Sequence, residues 1–456
     1  MGKYNKCLII GLCLITNVLS AQNFKYNTDQ FGIEGSLLGG AIVAGADDAS
    51  MTYYNPAAIY NITSGADISL IRPSINSFGF KQFWNEGEQS KINTIFNFRP
   101  LQFSFKLKGE KFDLAFLKIS KSNWNDQFSA KQEFVNDNIQ QTNNFQYQYR
   151  GNDNWYGIGT SFELTQNLHF GVSQFVSIAN YSYQIQVLKQ TTDVNLNPAE
   201  PTDYFNSSTN GNYDNVGLIT KIGLIYDTEK HDIGLTITTP TYLHFLKGGD
   251  FNQSRIDFNS NNTRIEGIID LELSPKIKTP WEFNLGYSLV LNEKGKLWIN
   301  ASYHNRIADY VMAEIQSMNE SLEWTSGNKA VFNYGVGYSN QISEKIQLLG
   351  GIRMNNFAYQ NKAAIEGKFR NFILDGNSLQ LSLGTKLRYK RHRILLGFDW
   401  GTLISVPDKE NLSLLENIDR LGINQRELTK KSFNILLNYG FILDGLGKGK
   451  TTQNKQ

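Results

Sequence analysis

FGIEGSLLGGAIVAGADDASMTYYNPAAIYNI, Phe31 to Ile62, is the stretch whose reading decides the fold. Gly32, Gly35, Gly39, Gly40 and Gly45 permit tight turns and close approach of main chain. Leu37-Leu38 and Ala41-Ile42-Val43-Ala44 are apolar enough to pack. Asn55-Pro56 signals a turn, because proline fixes φ and the Asn side chain can bond back to the main chain. Taken alone, the segment reads equally well as an ordinary loop with a turn. The sequence on either side of it decides between that loop and something built.

Ahead of it stands an export signal. Lys3 and Lys6 form a short positive region, Cys7 to Leu19 is apolar, and Leu19-Ser20-Ala21 is a small-residue cleavage site. The apolar run of about 13 residues falls short of the ~20 that a spanning helix needs. Residues 1–21 are therefore read as a signal peptide, with Gln22 opening the mature chain. Cys7 and Cys13 are the only two cysteines of the 456 residues, and both lie inside the signal. The mature chain then has no disulfide, no thiolate metal site and no cysteine nucleophile. Cys13 follows Ile10-Gly11-Leu12, which is not a lipobox. Removing Lys3 and Lys6 from the 44 basic residues leaves 42, matching the 42 acidic ones. With no net charge and no basic block, nothing calls for a nucleic-acid partner.

Behind it, period-2 alternation dominates. Phe332, Tyr334, Val336 and Tyr338 alternate with Asn333, Gly335, Gly337 and Ser339. Trp281, Phe283, Leu285 and Tyr287 alternate with Glu282, Asn284, Gly286 and Ser288. Phe433, Ile435, Leu437, Tyr439 and Phe441 face away from Ser432, Asn434, Asn438 and Gly440. The pattern predicts fourteen strands, near 66–79, 94–108, 111–121, 145–165, 168–190, 213–228, 231–247, 280–291, 295–313, 329–342, 345–360, 377–389, 392–405 and 430–443. Residues 263–274 also read as extended; with Pro275 and Pro280 they are either part of a broken eighth strand or an extra hairpin outside the wall.

The connections alternate without exception between long and short. The short ones are Gly109-Glu110, Gln166-Asn167, Glu229-Lys230, Asn292-Glu293-Lys294, Ser343-Glu344 and Lys390-Arg391. Antiparallel strands crossing an outer membrane give this result when both termini are periplasmic. The long connections around 122–144, 191–212 and 248–262 are rich in Asn, Asp and Gln and are expected to be external loops. A mean hydropathy of −0.37 does not oppose a barrel, whose alternating strands average to a hydrophilic score. A soluble propeller would repeat every 40 to 50 or so residues, which this chain does not. A sandwich predicts no long-short alternation. The bilayer offers no partner to backbone N–H and C=O groups, so a spanning sheet must close.

The fold expected is all-β: a 14-stranded antiparallel transmembrane barrel over 64–443, an N-terminal plug over 22–63 inside its lumen, and a polar tail over 444–456. With both termini below the barrel, Phe31 to Ile62 lies either loose beneath it or folded up into it, and its small apolar composition favours the second.

An export signal, a Gly-rich segment, Ala46-Asp47-Asp48-Ala49, Tyr53-Tyr54 and then Asn55-Pro56-Ala57-Ala58, followed by fourteen strands, resembles the FadL/TodX family of outer-membrane transporters for hydrophobic compounds. Pro240 to Tyr287, with its Lys278-Thr279-Pro280 step, is also similar. Two features depart from the family pattern. Phe441 is followed by a polar tail, and Phe112 to Lys121 contains no Gly or Pro where members kink inward beside a lateral opening. The resemblance implies passive uptake of hydrophobic molecules, either long-chain fatty acids or aromatic hydrocarbons. Capture occurs at external loops, an apolar pocket holds the ligand, the plug shifts, and release is sideways into the membrane. It also implies a role in ligand binding for an aromatic near the mature N-terminus, here Phe24. Asp47, Asp48, Asn55, Pro56 and Ala57 are then the plug and gating motif, with Asn55-Pro56-Ala57 as structural anchor. Alternatives are a FadL-like barrel serving as scaffold or shuttle of a protein-secretion system, and a general aqueous porin.

Buried carboxylates need partners, and Lys106, Lys118, Lys221 and Arg388 are the lumen-facing cations expected to meet Asp47 and Asp48. The five histidines, His169, His231, His244, His304 and His392, show no metal-ligand spacing. His304-Asn305 lacks the rest of a Ser/His/Asn constellation, and neither nucleophile elbow, P-loop nor dinucleotide fingerprint occurs. The expectation is a non-enzymatic monomer without cofactor or metal. Its partners are a hydrophobic small molecule, outer-membrane lipid and lipopolysaccharide.

Overall fold

The computed structural model describes Tyr26 and residues 29–443, apart from 70–71, 85–90, 100–101, 109–111, 194, 196–200, 260–261, 317–320, 360, 363–364 and 406–422. The signal peptide, Phe24 and the tail 444–456 lie outside the described residues. Among the described residues, no helix is long and apolar enough to cross a membrane.

Fourteen antiparallel strands close on themselves. In chain order they are Gly65–Ser69 with Arg72–Trp84; Lys91–Arg99 with Gln102–Lys108; Asp113–Asn136; Ile139–Thr165; Leu168–Asp193; Asp203–Asp227; His231–Thr238 with Tyr242–Asn259; Asn262–Asp270 with Glu282–Val290; Gly295–His304; Val331–Ser343; Ile346–Asn355; Asn377–Tyr389; His392–Ser405; and Ile423–Ile442. The first strand pairs with the last, Gly65 opposite Ile442 and Ser69 opposite Asn438, so the sheet has no free edge there. The two pieces of the eighth strand both pair with the seventh, at Phe251↔Asp270 and Leu289↔His231, which settles 262–290 as one broken wall strand. The ninth strand is shorter than expected. It stops at His304, and Ile307–Gln316 turns off the wall to pair with Ser321–Asn328.

The fourth strand shows what shapes the wall. Its odd positions face inward along the whole length: Phe145, Tyr147 and Tyr149 above, and Gly157 and Gly159 below. Its even positions face outward, Gln146 and Gln148 above, Tyr156, Ile158 and Phe162 below. The lower half thus shows aromatic and aliphatic groups to lipid and small groups to the lumen. The upper half is the reverse, polar outside and aromatic inside. A bilayer-spanning strand needs only about 9–11 residues, whereas the third to sixth strands have 24, 27, 26 and 25. Their upper halves stand in water around their own apolar core.

This corrects the loop expectation. Residues 122–144 are two paired strands joined at Asp137-Asn138, with Trp124 opposite Gly151 and Asn136 opposite Ile139. Much of 191–212 and nearly all of 248–262 likewise extend the wall. Their Asn, Gln, Ser and Thr residues are the solvated face of strands whose alternate positions, Phe128, Tyr183, Val187 and Phe205, are buried. A loop spanning 356–376 folds into this upper core. Phe372, Ile373 and Leu374 are buried, and the N–H groups of Phe372 and Leu374 donate to the hydroxyls of Tyr183 and Tyr147, each at 3.2 Å.

Candidate functional site: the plug, its seats and the aromatic cavity

Residues 29–59 fill the lower lumen and are almost entirely buried. Their contact with the wall depends on glycines that face each other on neighbouring strands. Gly171 lies opposite Gly223, Gly234 opposite Gly286, Gly337 opposite Gly351, and Gly384 opposite Gly397. The first pair receives the Asn55-Pro56-Ala57 turn. A Cβ on Gly223 would lie 2.0 Å from Asn55 Oδ1, and one on Gly171 2.3 Å from the Pro56 carbonyl carbon. Neither position can carry a side chain while the turn is seated. The second pair lies under Val43-Ala44, the third under Leu38 and the fourth under Leu37.

Asn55 is fully buried and caps the 3-10 turn Pro56–Asn61. Its Oδ1 accepts from Ala57 N at 3.1 Å. Its Nδ2 donates to the carbonyls of Val43 at 2.8 Å and of Leu224 on the sixth strand at 3.1 Å. One side chain therefore ties three pieces of main chain, with Pro56 at the first helical position where its missing N–H costs nothing. Ala57 is fully buried between that turn and the wall.

Asp47 and Asp48 are adjacent but differ in role. Asp48 is fully buried and accepts the N–H groups of Glu34 at 2.6 Å, Ser50 at 2.9 Å and Gly35 at 3.2 Å. It meets no cation among the described residues and orders the plug internally. Asp47 lies at the lower rim and meets Arg393 at 3.3 Å and Arg388 at 3.4 Å. Burial pushes its pKa up, but the charges of Arg393 and Lys386 and the Thr63 N–H outweigh burial and hold it below the ordinary carboxylate value.

Of the four cations expected to pair with these carboxylates, only Arg388 does. Lys106 donates to the Tyr60 carbonyl at 3.2 Å and pairs with Asp113 at 3.3 Å. Lys221 pairs with Glu282 at 3.5 Å and stands 4.2 Å from the Tyr53 ring centroid. Lys118 reaches Ser120, not the plug. The cations that the facing argument left out are Arg393, Lys386 and Arg353. Arg393 bridges Asp47 and Asp67, Lys386 pairs with Glu34, and Arg353 donates to the Gly39 carbonyl at 3.2 Å. The signal for the first was present: Ile394, Leu396 and Phe398 face lipid, which turns Arg393 inward.

Above the plug lies a cavity of about 130 Å³. Trp124, Trp155, Tyr181, Tyr213, Tyr310 and Met312 form its apolar wall. Tyr53 of the plug meets Trp155 edge-on at 5.8 Å, so the plug packs against one residue of the cavity wall. The polar side holds Lys121, Asp153, Glu282, His304 and Asn328. Tyr26 enters from the N-terminal segment, its ring stacked on His304 at 4.5 Å and 25°. Sequence reading did not find this site, because its residues come from the third to sixth strands, the eighth and ninth, and the off-wall hairpin. No spacing along the chain links them.

A second cavity, of about 140 Å³, lies where the wall is interrupted. The ladder between the second and third strands ends at Gln102↔Ile119. A bulge follows at Lys121, where the register shifts between Ser120 and Ser122. Beyond it, Lys91–Arg99 pairs with the first strand and the third strand with the fourth; no pair joins the described residues of the two. The third strand carries this bulge without Gly or Pro beside it, and a bulge bends a strand by adding one residue to one side. Phe78, Ile95, Trp124 and Tyr149 line the cavity, and Lys430 crosses it to Asp126 at 2.6 Å and Asp375 at 2.9 Å.

No protein-family model and no curated protein matches the sequence. Solved structures do. The chain is similar to the toluene transporter TbuX of Ralstonia pickettii (13% identity, TM-score 0.56, covering 92% of this chain and 100% of that one). It is also similar to the toluene transporter TodX of Pseudomonas putida (12%, 0.57, 92% and 99%) and to a FadL homologue of Pseudomonas aeruginosa (12%, 0.53, 93% and 99%). At this identity the likeness is one of fold, and it extends over nearly the whole of each chain. The chain has the fold of the FadL and TodX outer-membrane transporters of hydrophobic compounds.

Proposed function

We propose that this protein lies in the outer membrane and takes up hydrophobic small molecules. They bind in the aromatic cavity above the plug and leave sideways through the seam between the second and third strands. The observation that carries the reading is the aromatic cavity itself, which lies above the lumen-filling plug and is closed in part by the off-wall hairpin through Tyr310 and Met312. Burying a CH₂ group gains about 0.8 kcal/mol, so an aqueous pore is a poor path for such a solute, while an apolar cavity beside a wall seam avoids rehydrating it. The plug argues against a general porin, since it occupies the cross-section through which solutes would diffuse. The neighbouring fold is that of proteins whose names refer to toluene, monoaromatic hydrocarbons and FadL, which agrees with the reading but leaves fatty acid and aromatic cargo open.

The test is uptake by cells with and without the chain. Labelled p-xylene and labelled oleate are supplied at limiting concentration. Faster initial uptake of at least one of them in cells carrying the chain is expected, and Trp155→Ala lowers it severalfold while leaving the barrel folded. Equal rates with and without the chain for both compounds would contradict the proposal.

A further inference from the structure

The wall is interrupted a second time, between the seventh and eighth strands. Their ladder runs up to Thr238↔Glu282 and resumes at Phe251↔Asp270. Among the described residues no ladder pair joins 239–250 to 271–281; only at the top does the Leu273 N–H reach the Gly249 carbonyl, at 3.0 Å. Three of the chain's nine prolines account for the break. Pro240 stands on one side, Pro275 and Pro280 on the other, and none can donate to a ladder. The seventh strand stays with the sixth, through the Thr239 N–H to the Thr220 carbonyl at 2.9 Å. It passes from Tyr242 to Leu246 while its partner passes only from Leu218 to Val216. Within that bulge Leu243 has a φ of 48°, left-handed backbone that a leucine seldom adopts. The eighth strand is drawn the other way, toward the off-wall hairpin. The Lys276 N–H donates to the Met312 carbonyl at 2.8 Å, and the Lys278 N–H to the Tyr310 hydroxyl at 3.1 Å.

A pair of hydroxyls closes the gap. Thr279 Oγ1 accepts the Thr241 N–H at 2.7 Å and lies 3.0 Å from Thr241 Oγ1. Thr238, Thr239, Ile277, Thr279 and Pro280, from both sides of the gap, line the aromatic cavity. Outside, Leu243, Phe245, Leu246, Leu271 and Trp281 are exposed and continue the apolar belt of Leu235, Phe283 and Leu285. An intact ladder does not part in lipid, where each freed N–H and C=O goes without a partner. Here the N–H groups of Thr239, Lys276 and Lys278 are met by other elements, so parting Thr241 from Thr279 opens the wall without breaking a ladder. The seam between the second and third strands is not equivalent. Among the described residues Trp124 alone lines both cavities. A solute in the aromatic cavity reaches that seam only past this indole, but meets the gap between the seventh and eighth strands directly. We infer that this gap is a second lateral portal, through which apolar solutes pass between the membrane and the aromatic cavity, and that Thr241 and Thr279 are its clasp. The inference rests on the reading of the cavity as the cargo site.

The experiment locks the gap. Outside Cys7 and Cys13 the chain has no cysteine, so Thr241→Cys with Thr279→Cys places a single linkable pair across it. Hydroxyls 3.0 Å apart stand within disulfide reach of each other. Initial uptake of labelled p-xylene and of labelled oleate is measured in cells carrying the double variant, first oxidised and then reduced with dithiothreitol. Wild type taken through the same treatment and cells without the chain are measured beside it. Oxidation of the double variant is expected to slow uptake severalfold and reduction to restore it, with wild type indifferent to both. Folding is checked by the mobility shift of unheated barrel on a denaturing gel. Thr279→Trp, which fills the gap with an indole, serves if the cysteine pair fails to fold or to link, and is expected to slow uptake by a similar factor. If the locked barrel, or Thr279→Trp in its place, takes up both compounds as fast as wild type, the portal is overturned while the cargo-site reading stands. If wild type takes up neither compound faster than cells without the chain, both fall.

Discussion

At the scale of single residues, Asn55 does most to fix where the plug sits. Its Oδ1 caps the 3-10 turn and its amide joins two carbonyls, one on the plug and one on the wall. Asn55→Ala removes a cap worth about 1 kcal/mol and leaves the buried Val43 carbonyl short of a partner, at roughly 1–3 kcal/mol more. A loss of that size should appear as a lower midpoint in thermal unfolding in detergent. Asp47 gives a second prediction, with a definite sign. Its folded pKa lies below its ordinary value. The stability it contributes is therefore full above about pH 4, the unfolded value, and is lost as pH falls through the lower folded value. Protease resistance of the plug should decline below pH 4, and Asp47→Asn should remove that part of the decline by being weaker at neutral pH already. Asp48, held by three main-chain N–H groups and, among the described residues, by no cation, is separate from that rim pairing.

At the scale of elements, the paired glycines make two strands into one seat. Gly223→Val places a branched side chain where Asn55 Oδ1 now lies, so the turn must leave the wall. The expected result is ionic conductance in planar bilayers where wild type shows almost none. Gly248→Val is the control, because a Cβ there meets nothing within 4 Å; it should stay as closed as wild type. The upper hairpins are a separate element with a separate core. Phe145 is fully buried against Phe83 at 5.2 Å and Phe128 at 6.2 Å. Phe145→Ala should cost about 3–5 kcal/mol of local stability and speed proteolysis at the exposed Asp137-Asn138 turn by loosening the strands that hold it, leaving the plug protected. The same element shows where reading the sequence succeeds and fails. Below, where lipid is the solvent, outward Ile158 and inward Gly159 give an alternation that marks a strand at sight. Above, where water is the solvent, Gln146 and Tyr147 alternate just as strictly but with the polar face outward. High Asn and Gln content then resembles a loop, and the strand is missed.

At the scale of the whole molecule, the closed wall was legible because each short turn brackets two strands of opposite direction and because a bilayer leaves no other way to satisfy the backbone. The glycine-rich segment was legible as a plug for a related reason: Leu37, Leu38 and Ala41 are too apolar to remain in water beneath the barrel. The cavity was not legible, since Trp155, Tyr213 and Tyr310 meet only after the third to ninth strands have closed and the off-wall hairpin has turned back over the lumen. The seam was hidden for another reason. Its bulge at Lys121 adds a residue without any glycine or proline to announce it. Together these features give a barrel filled from below by residues 29–59, lined above by aromatic side chains and, among the described residues, unpaired between its second and third strands beyond Gln102↔Ile119. The most direct measurement is a crystal of the mature barrel soaked in bromobenzene, read at the bromine absorption edge. The account predicts an anomalous peak between Trp155 and Tyr213, above the plug. Bromine found only on the lipid-facing surface, with the cavity empty at saturating ligand, would contradict it.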